Sequence, residues 1–230
     1  MKNIILVILG IFLFQSVTAN GQDEAIISAG QLYNLGNQAY NEEAFDDAIY
    51  YYEKAMLLDP GSKDIATNLQ LANEQLSTDI IEIEPFFLAS WWNGLSGMFL
   101  PGGWKIVSII CLIGLLSLVF FYFFKERPSD KNHFYAILGI GLLLFLVTIF
   151  AGQTRTNQIY NSPYVIVFGG NQALYQAPDP ISEEVKDITG GNKLRILDEF
   201  EGWYKVAAMD SEQGWIKKEK VRAISMMNPE

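Results

Sequence analysis

The chain has 230 residues, half of them hydrophobic, with a formal net charge of −10, one cysteine and one histidine. That length holds one to three small modules. With Cys111 and His133 as the lone members of their types, a disulfide framework, a Cys/His metal cluster, a Ser-His-Asp triad and a Cys-His dyad are excluded from the soluble parts. The acid is localised: residues 20–84 carry 13 acidic and 2 basic side chains, residues 152–230 carry 11 and 9. An acidic surface of this kind excludes nucleic acid or anionic lipid as a partner held by charge.

The chain opens on Met1-Lys2-Asn3, a short apolar run Ile4–Phe14 and the small-residue pattern Val17-Thr18-Ala19. This predicts a secretory signal peptide over 1–19, with an uncleaved anchor as the alternative. No cysteine follows the cleavage pattern, so a lipoprotein is not expected.

The next module is predicted over 20–80. Leu32, Leu35, Gly36 and Ala39 recur at helical spacing, and so do Ala48, Tyr52 and Ala55, with a turn at Glu43-Ala44 between them. Small residues stand where two helices approach, and Leu35, Tyr40, Phe45 and Tyr52 fill the space. Asp59-Pro60-Gly61 ends the second helix, because proline disfavours helix in the residue before it, and Ser62 caps a third. On that third helix Ile65, Leu69, Ala72 and Leu76 share a face. Ala29–Pro60 resembles a tetratricopeptide repeat at Leu32-x-x-Leu35-Gly36, Ala48-x-x-x-Tyr52, Ala55 and Pro60. In the following helix Gln70 and Asn73 take the places of Gly36 and Ala39, so it is read as the cap of an array that stops after one repeat. Repeat arrays usually need about three units to be stable. The module is therefore expected to be marginal alone and to dock on a partner, a second copy or the membrane-proximal stretch. Some repeats of this kind bind C-terminal carboxylates through basic groove residues. Asn37 matches one groove position, but Tyr33 stands where a lysine is expected, so a carboxylate clamp is disfavoured. Asn37 reads as helix surface, and Tyr33, Asn37 and Tyr40 are the candidate partner-binding residues.

Residues 81–103 read as a membrane-interfacial linker. Trp91, Trp92 and Trp104 suit the headgroup region, Phe86–Phe99 is predicted as a short interfacial helix, and Pro101-Gly102-Gly103 is expected to break it. Two spans follow, 104–124 and 134–151; the first is roughly 31 Å long as a helix. Neither has an ionisable residue near its centre, so they read as an anchor rather than a transport path. Gly114, Gly139 and Gly141 permit close helix contact. The loop 125–133, with Lys125, Arg127 and Lys131, is expected on the cytoplasmic side, which places both soluble modules across the membrane.

After a linker over 152–163, the runs 164–168, 193–200, 202–208, 214–217 and 220–225 read as strands, with turns at Gly169-Gly170-Asn171 and Gly190-Gly191-Asn192. Residues 164–226 form a small predicted β-barrel. It resembles a bacterial SH3-like domain at Pro178–Pro180, Gly191, Leu194–Leu197, Gly202-Trp203-Tyr204-Lys205-Val206, Gly214-Trp215-Ile216 and Val221; the Arg-Ser-Gly that usually precedes the first of those prolines is missing. The loop Tyr175–Lys186 is the favoured ligand position. Trp203 and Trp215 are read first as barrel residues and second, with Tyr175, as an aromatic platform for peptide or glycan.

The order of signal, one repeat, two spans and SH3-like domain resembles the BatE family of Bacteroidetes aerotolerance (Bat) operons. The fold class is thus a multidomain membrane protein: an all-α repeat unit, a transmembrane hairpin and a small all-β barrel. The resemblance implies an inner-membrane component of an envelope or oxidative stress complex, with both modules periplasmic. It implies von Willebrand-type Bat proteins and a MoxR-type ATPase system as partners. A non-enzymatic scaffold is expected, with no catalytic residue, metal or cofactor; the rival reading is a peptidoglycan-binding sensor or targeting subunit.

Overall fold

The computed structural model describes residues 27–76, 87–124, 131–208 and 211–226. The signal peptide, most of the 125–133 loop and the stretch 77–86 lie outside the described residues. These hold six α-helices and one seven-stranded antiparallel sheet. The described residues divide into two compact units, Lys105–Thr148 and the pair of segments Ile27–Trp104 and Ile149–Glu230.

In the larger unit the first three helices follow from their end signals. α1 (Ala29–Asn41) starts at a capping box: the Gln31 amide donates to Ser28 Oγ at 3.2 Å, and Gln31 Oε1 accepts from the Ser28 amide at 2.8 Å. Glu43, at φ 60°, turns the chain into α2 (Phe45–Leu58), whose first turn holds Asp46 and Asp47 at the positive end of the helix dipole. α3 (Lys63–Glu74) starts where the Ile65 amide donates to Ser62 Oγ at 3.4 Å. Leu32, Ala39, Ala48, Ile49, Tyr52, Ala55, Ile65 and Ala72 form their buried core. Gly36 is required by contact: a Cβ there would stand 2.5 Å from the Tyr52 ring.

α4 (Phe87–Gly97) ends two residues before the interfacial helix expected over 86–99, whose first residue lies outside the described residues. The expected break before the first span is present, at residues 98–100, just ahead of Pro101-Gly102-Gly103. Those three residues form the first turn of α5 (Pro101–Phe124), because proline at the first helical position lacks only an N–H that would have no partner there. α6 spans Lys131–Tyr160, so the expected linker 152–163 is helical as far as Tyr160. Both helices are long and apolar enough to cross a membrane, with mean hydropathy 2.7 and 2.5; none of the first apolar window and 11% of the second is buried.

Within the smaller unit these helices run antiparallel. Ser108 Oγ donates to Thr148 Oγ1 at 3.0 Å, Leu115 packs where a Cβ on Gly141 would stand 2.8 Å away, and Tyr122 stacks on Phe134 at 4.4 Å between ring centroids. Contacts recur every seven residues on both helices, the spacing of a left-handed coiled-coil seam. Gly141 is the glycine at that seam; Gly114 and Gly139 face open space, contrary to the sequence expectation.

The sheet belongs to the larger unit, with strand order β3-β2-β6-β5-β4-β1-β7. The strands are β1 (Tyr164–Val167), β2 (Gln172–Tyr175), β3 (Glu184–Ile188), β4 (Lys193–Phe200), β5 (Trp203–Ala207), β6 (Gln213–Lys217) and β7 (Val221–Ala223). β2 and β3 are not among the expected strands; they flank and partly overlap the loop expected over Tyr175–Lys186, being short and partly polar. The β4–β5 hairpin turns on Glu201 and Gly202, both at positive φ, as a two-residue hairpin loop demands.

Candidate functional site

The helical unit has two unlike faces, and β1 explains one of them. Its burial is nearly continuous, and its side chains alternate between two cores. Val165 and Val167 join Leu174, Leu194, Val206 and Ile216 inside the sheet, whereas Ile166 joins Tyr52 and Ile49 in the helical core, together with Ile224 from just beyond β7. A strand covered on both sides reads as an unbroken apolar run. The sheet therefore docks on α2 and the end of α3, covering an apolar face that in a stacked array would be covered by the next helices.

Polar contacts ring this seam. Lys193 Nζ donates to Glu53 Oε2 at 2.7 Å, with side chains only 25% and 14% exposed. Arg222 Nη1 donates to Asp47 Oδ1 at 2.8 Å, and its guanidinium lies 4.0 Å from the centroid of the Phe168 ring, which meets Tyr50 edge-on at 5.7 Å. The Gly169 amide donates to Asp46 Oδ2 at 3.2 Å. Gly191, at φ 83°, is fixed twice over: a Cβ would overlap Leu76 and stand 2.9 Å from Ile49. The helical unit thus meets a docking surface that the sequence expectation did not include, the chain's own sheet, besides the expected membrane-proximal stretch, whose Gly97 lies against Pro60.

The second face is a shallow, open groove of about 310 Å³ lined by Asn37, Tyr40, Asn41, Tyr52, Asn68 and Leu71. A polar network floors it. Asn68 Nδ2 donates to Tyr33 Oη and to Asn37 Oδ1, each at 2.9 Å, and Tyr52 Oη donates to the same Asn37 oxygen at 2.7 Å. Burial raises the Tyr52 phenol above its ordinary value of 10, so it donates to Asn37 as a neutral hydroxyl. Asn37 is therefore not plain helix surface but the acceptor that ties α1 to α2 and α3. Tyr33 supports the network through Asn68, and Tyr40 packs edge-on against Phe45 at 5.5 Å. What the sequence reading missed here is Asn41, Asn68 and Leu71. Asn68 carried a signal, since it falls 34 residues after Asn34, one repeat length, and a polar side chain between helices needs a partner.

The other candidates meet on the sheet. Tyr175 packs edge-on against Trp203 at 5.6 Å and pairs across the strands with Trp215. Trp203 is 7% exposed, with Lys217 Nζ 5.8 Å from its ring centre. Trp203 is thus a packing residue; Tyr175 and Trp215 are half-buried and keep accessible ring surface. The loop Gln176–Glu183 folds on itself: the Gln176 amide donates to Glu183 O, the Ala177 amide to Ser182 Oγ and the Ile181 amide to Asp179 Oδ1, leaving the Ile181 side chain in solvent.

A further buried group escaped the sequence reading. Arg155, on α6, is 2% exposed and donates to the Leu58 carbonyl at 3.1 Å and to Gln158 Oε1 at 3.3 Å. Leu58 ends α2, a helix with no basic residue in its last turn, so Arg155 supplies the cation that the negative end of that helix favours. Trp104 is buried against its own chain: its Nε1 donates to Ser96 O at 2.8 Å and its ring meets Phe99 at 5.3 Å.

Among the described residues no group of three or more His, Cys, Asp or Glu side chains converges as a metal site would need. Compared with models of known protein families and with curated proteins, the chain matches none.

Proposed function

We propose that this protein is a membrane-anchored, non-enzymatic adaptor whose tetratricopeptide-like helical unit takes an extended segment of a partner protein into the α1/α3 groove. The observation that carries this reading is the division of labour between the two faces. The apolar face of α2 is spent on the sheet, while the groove keeps uncharged amide and phenol groups accessible. Asparagine amides both donate and accept, so they match the alternating groups of an extended backbone. A neutral or basic segment suits the acidic unit; a C-terminal carboxylate does not, because no lysine or arginine lines the groove. The apolar helices α5 and α6 fit an anchor, and the basic loop between them supports a periplasmic position for the larger unit, with the sheet as an SH3-like module. The BatE-like order of parts points to von Willebrand-type Bat proteins and the MoxR-type ATPase system as the complex served, one responding to envelope or oxidative stress. A tethered module meets its partner at high effective concentration, so one small groove suffices.

The second reading, peptidoglycan binding through the sheet, rests on the ring surface that Tyr175 and Trp215 keep accessible. In-cell crosslinking of the full chain, followed by affinity purification, separates the two. The adaptor reading expects membrane proteins that disappear with Asn41→Arg combined with Leu71→Arg. Unchanged recovery overturns it, and recovery of cell-wall material that depends on Trp215 moves the second reading ahead.

A further inference from the structure

The adjacent tryptophans of α4 have opposite fates. Trp92 Nε1 donates to Thr154 Oγ1 at 3.2 Å, and next to it Asn93 Oδ1 accepts from Gln158 Nε2 at 3.0 Å. Ser96 is buried under Trp104, and Gly97 lies against Pro60, where a Cβ would stand 2.9 Å away. One side of α4 is thus clamped onto α6 and the base of the helical unit. The other side carries Leu88, Trp91 and Met98, followed by Leu100, which are 52–66% exposed. Leu88, Trp91 and Met98, the last just beyond the end of α4, are three and seven residues apart, a helical spacing that sets them on one side as a strip. Ile149 and Phe150, in the part of α6 that belongs to the same unit, are exposed as well, while Ala151, Arg155 and Ile159 beyond them are buried.

We propose that this strip is a lipid-binding surface: α4 lies in the membrane–water interface as the foot of the larger unit, with Leu88, Trp91 and Met98 among the lipid chains. Soluble surfaces rarely expose so much contiguous apolar area without an occupant. Lipid is the occupant that chain order supports, because three residues after α4 the chain enters the apolar helix α5. A flat interfacial helix buries its apolar face and keeps its polar face up, and here the polar face is already taken by Thr154 and Gln158. The residues Phe87–Gly97 include no charged side chain. Insertion is therefore driven by apolar burial alone, without selection for anionic headgroups. The inference goes beyond the adaptor reading and rests only on α5 and α6 being membrane spans.

The test uses the full chain in lipid nanodiscs with Cys111→Ser and one spin-labelled cysteine at a time: Trp91→Cys and Leu88→Cys on the strip, Ala89→Cys on the opposite side, and Phe120→Cys in α5. At 88 and 91, collisions with oxygen relative to those with an aqueous nickel chelate are expected to be several-fold higher than at 89. The ratio is expected to be the same in phosphatidylcholine alone and with phosphatidylglycerol added. A label at 91 as accessible to nickel as that at 89 overturns the proposal, provided the label at 120 is in lipid. A label at 120 that meets nickel overturns the membrane spans instead. Shielding of 91 from both probes, or dipolar broadening between copies, means a protein covers the strip and the proposal is wrong. A ratio that rises only with the anionic lipid overturns the charge-free mode.

Discussion

The two faces of the helical unit differ in what they bury. The α2 face, against the sheet, encloses Ile49, Tyr50, Leu76, Ile166, Phe168 and Ile224, with ion pairs only at its edge. The groove face encloses almost nothing apolar; its inner atoms are two amides, Asn37 and Asn68, and two phenols, Tyr33 and Tyr52, bonded to one another. Apolar burial contributes roughly 25 cal/mol per Å² and needs no fixed geometry, so it holds modules together. Hydrogen bonds net only about 1 kcal/mol each but demand direction, so they shape a surface that discriminates. The three helices thus give one face to the sheet, for stability, and leave the other open.

Changes at the seam test this contrast most severely. Ile166→Asp places an unpaired carboxylate between the two cores and should destabilise by about 4 kcal/mol or more. Circular dichroism and limited proteolysis should show α1–α3 lost together with the sheet; a sheet that survives while α1–α3 are digested would mean that the two cores are independent. Gly191→Ala adds a Cβ at positive φ and against Leu76, and about 2–4 kcal/mol is expected from strain and overlap combined, read from denaturant midpoints. The Glu53–Lys193 pair, being half-buried, should show a coupling of about 1 kcal/mol in a double-mutant cycle. Arg222→Ala loses an exposed ion pair and a ring contact, so about 0.5–1 kcal/mol is expected, shrinking as salt is raised. At the groove the contrast inverts: Asn41→Ala should leave the midpoint within about 0.5 kcal/mol while weakening partner recovery. A loss of stability there comparable to Gly191→Ala would erase the distinction between the faces.

The helical elements were readable because each of their signals is local. Ser62, Asp59-Pro60 and the small residues at Gly36, Ala48 and Ala55 act within a turn or two of where they stand. The apolar lengths of α5 and α6 were readable for the same reason, although the continuation of α6 to Tyr160 was not, since Gln153–Gln158 is polar and owes its helix to packing under Leu58 and Trp92. β2 and β3 were missed because their short runs carry alternation too weak to separate from loop. The docking seam was half visible: Tyr164–Phe168 has no polar alternation, which already says that both sides of the strand are covered. Which element covers the second side depends on contacts across more than a hundred residues, such as Asp47 with Arg222, and no local pattern encodes that. The groove candidates Tyr33, Asn37 and Tyr40 were found by position in the repeat, whereas Asn41 and Leu71 need the third dimension. On the sheet, Trp203 and Trp215 looked alike in sequence, and only strand packing separates the buried ring from the accessible one.

The larger unit is assembled from two separated stretches of chain, and this sets a timetable for its birth. Tyr164 emerges 88 residues after Leu76, so at ordinary synthesis rates the three helices wait roughly 4 to 18 s for the strand that completes their core. Throughout that interval Ile49, Tyr52 and Leu76 have no sheet to cover them. The nascent chain passes through a stage in which its first-made part is the last to become secure.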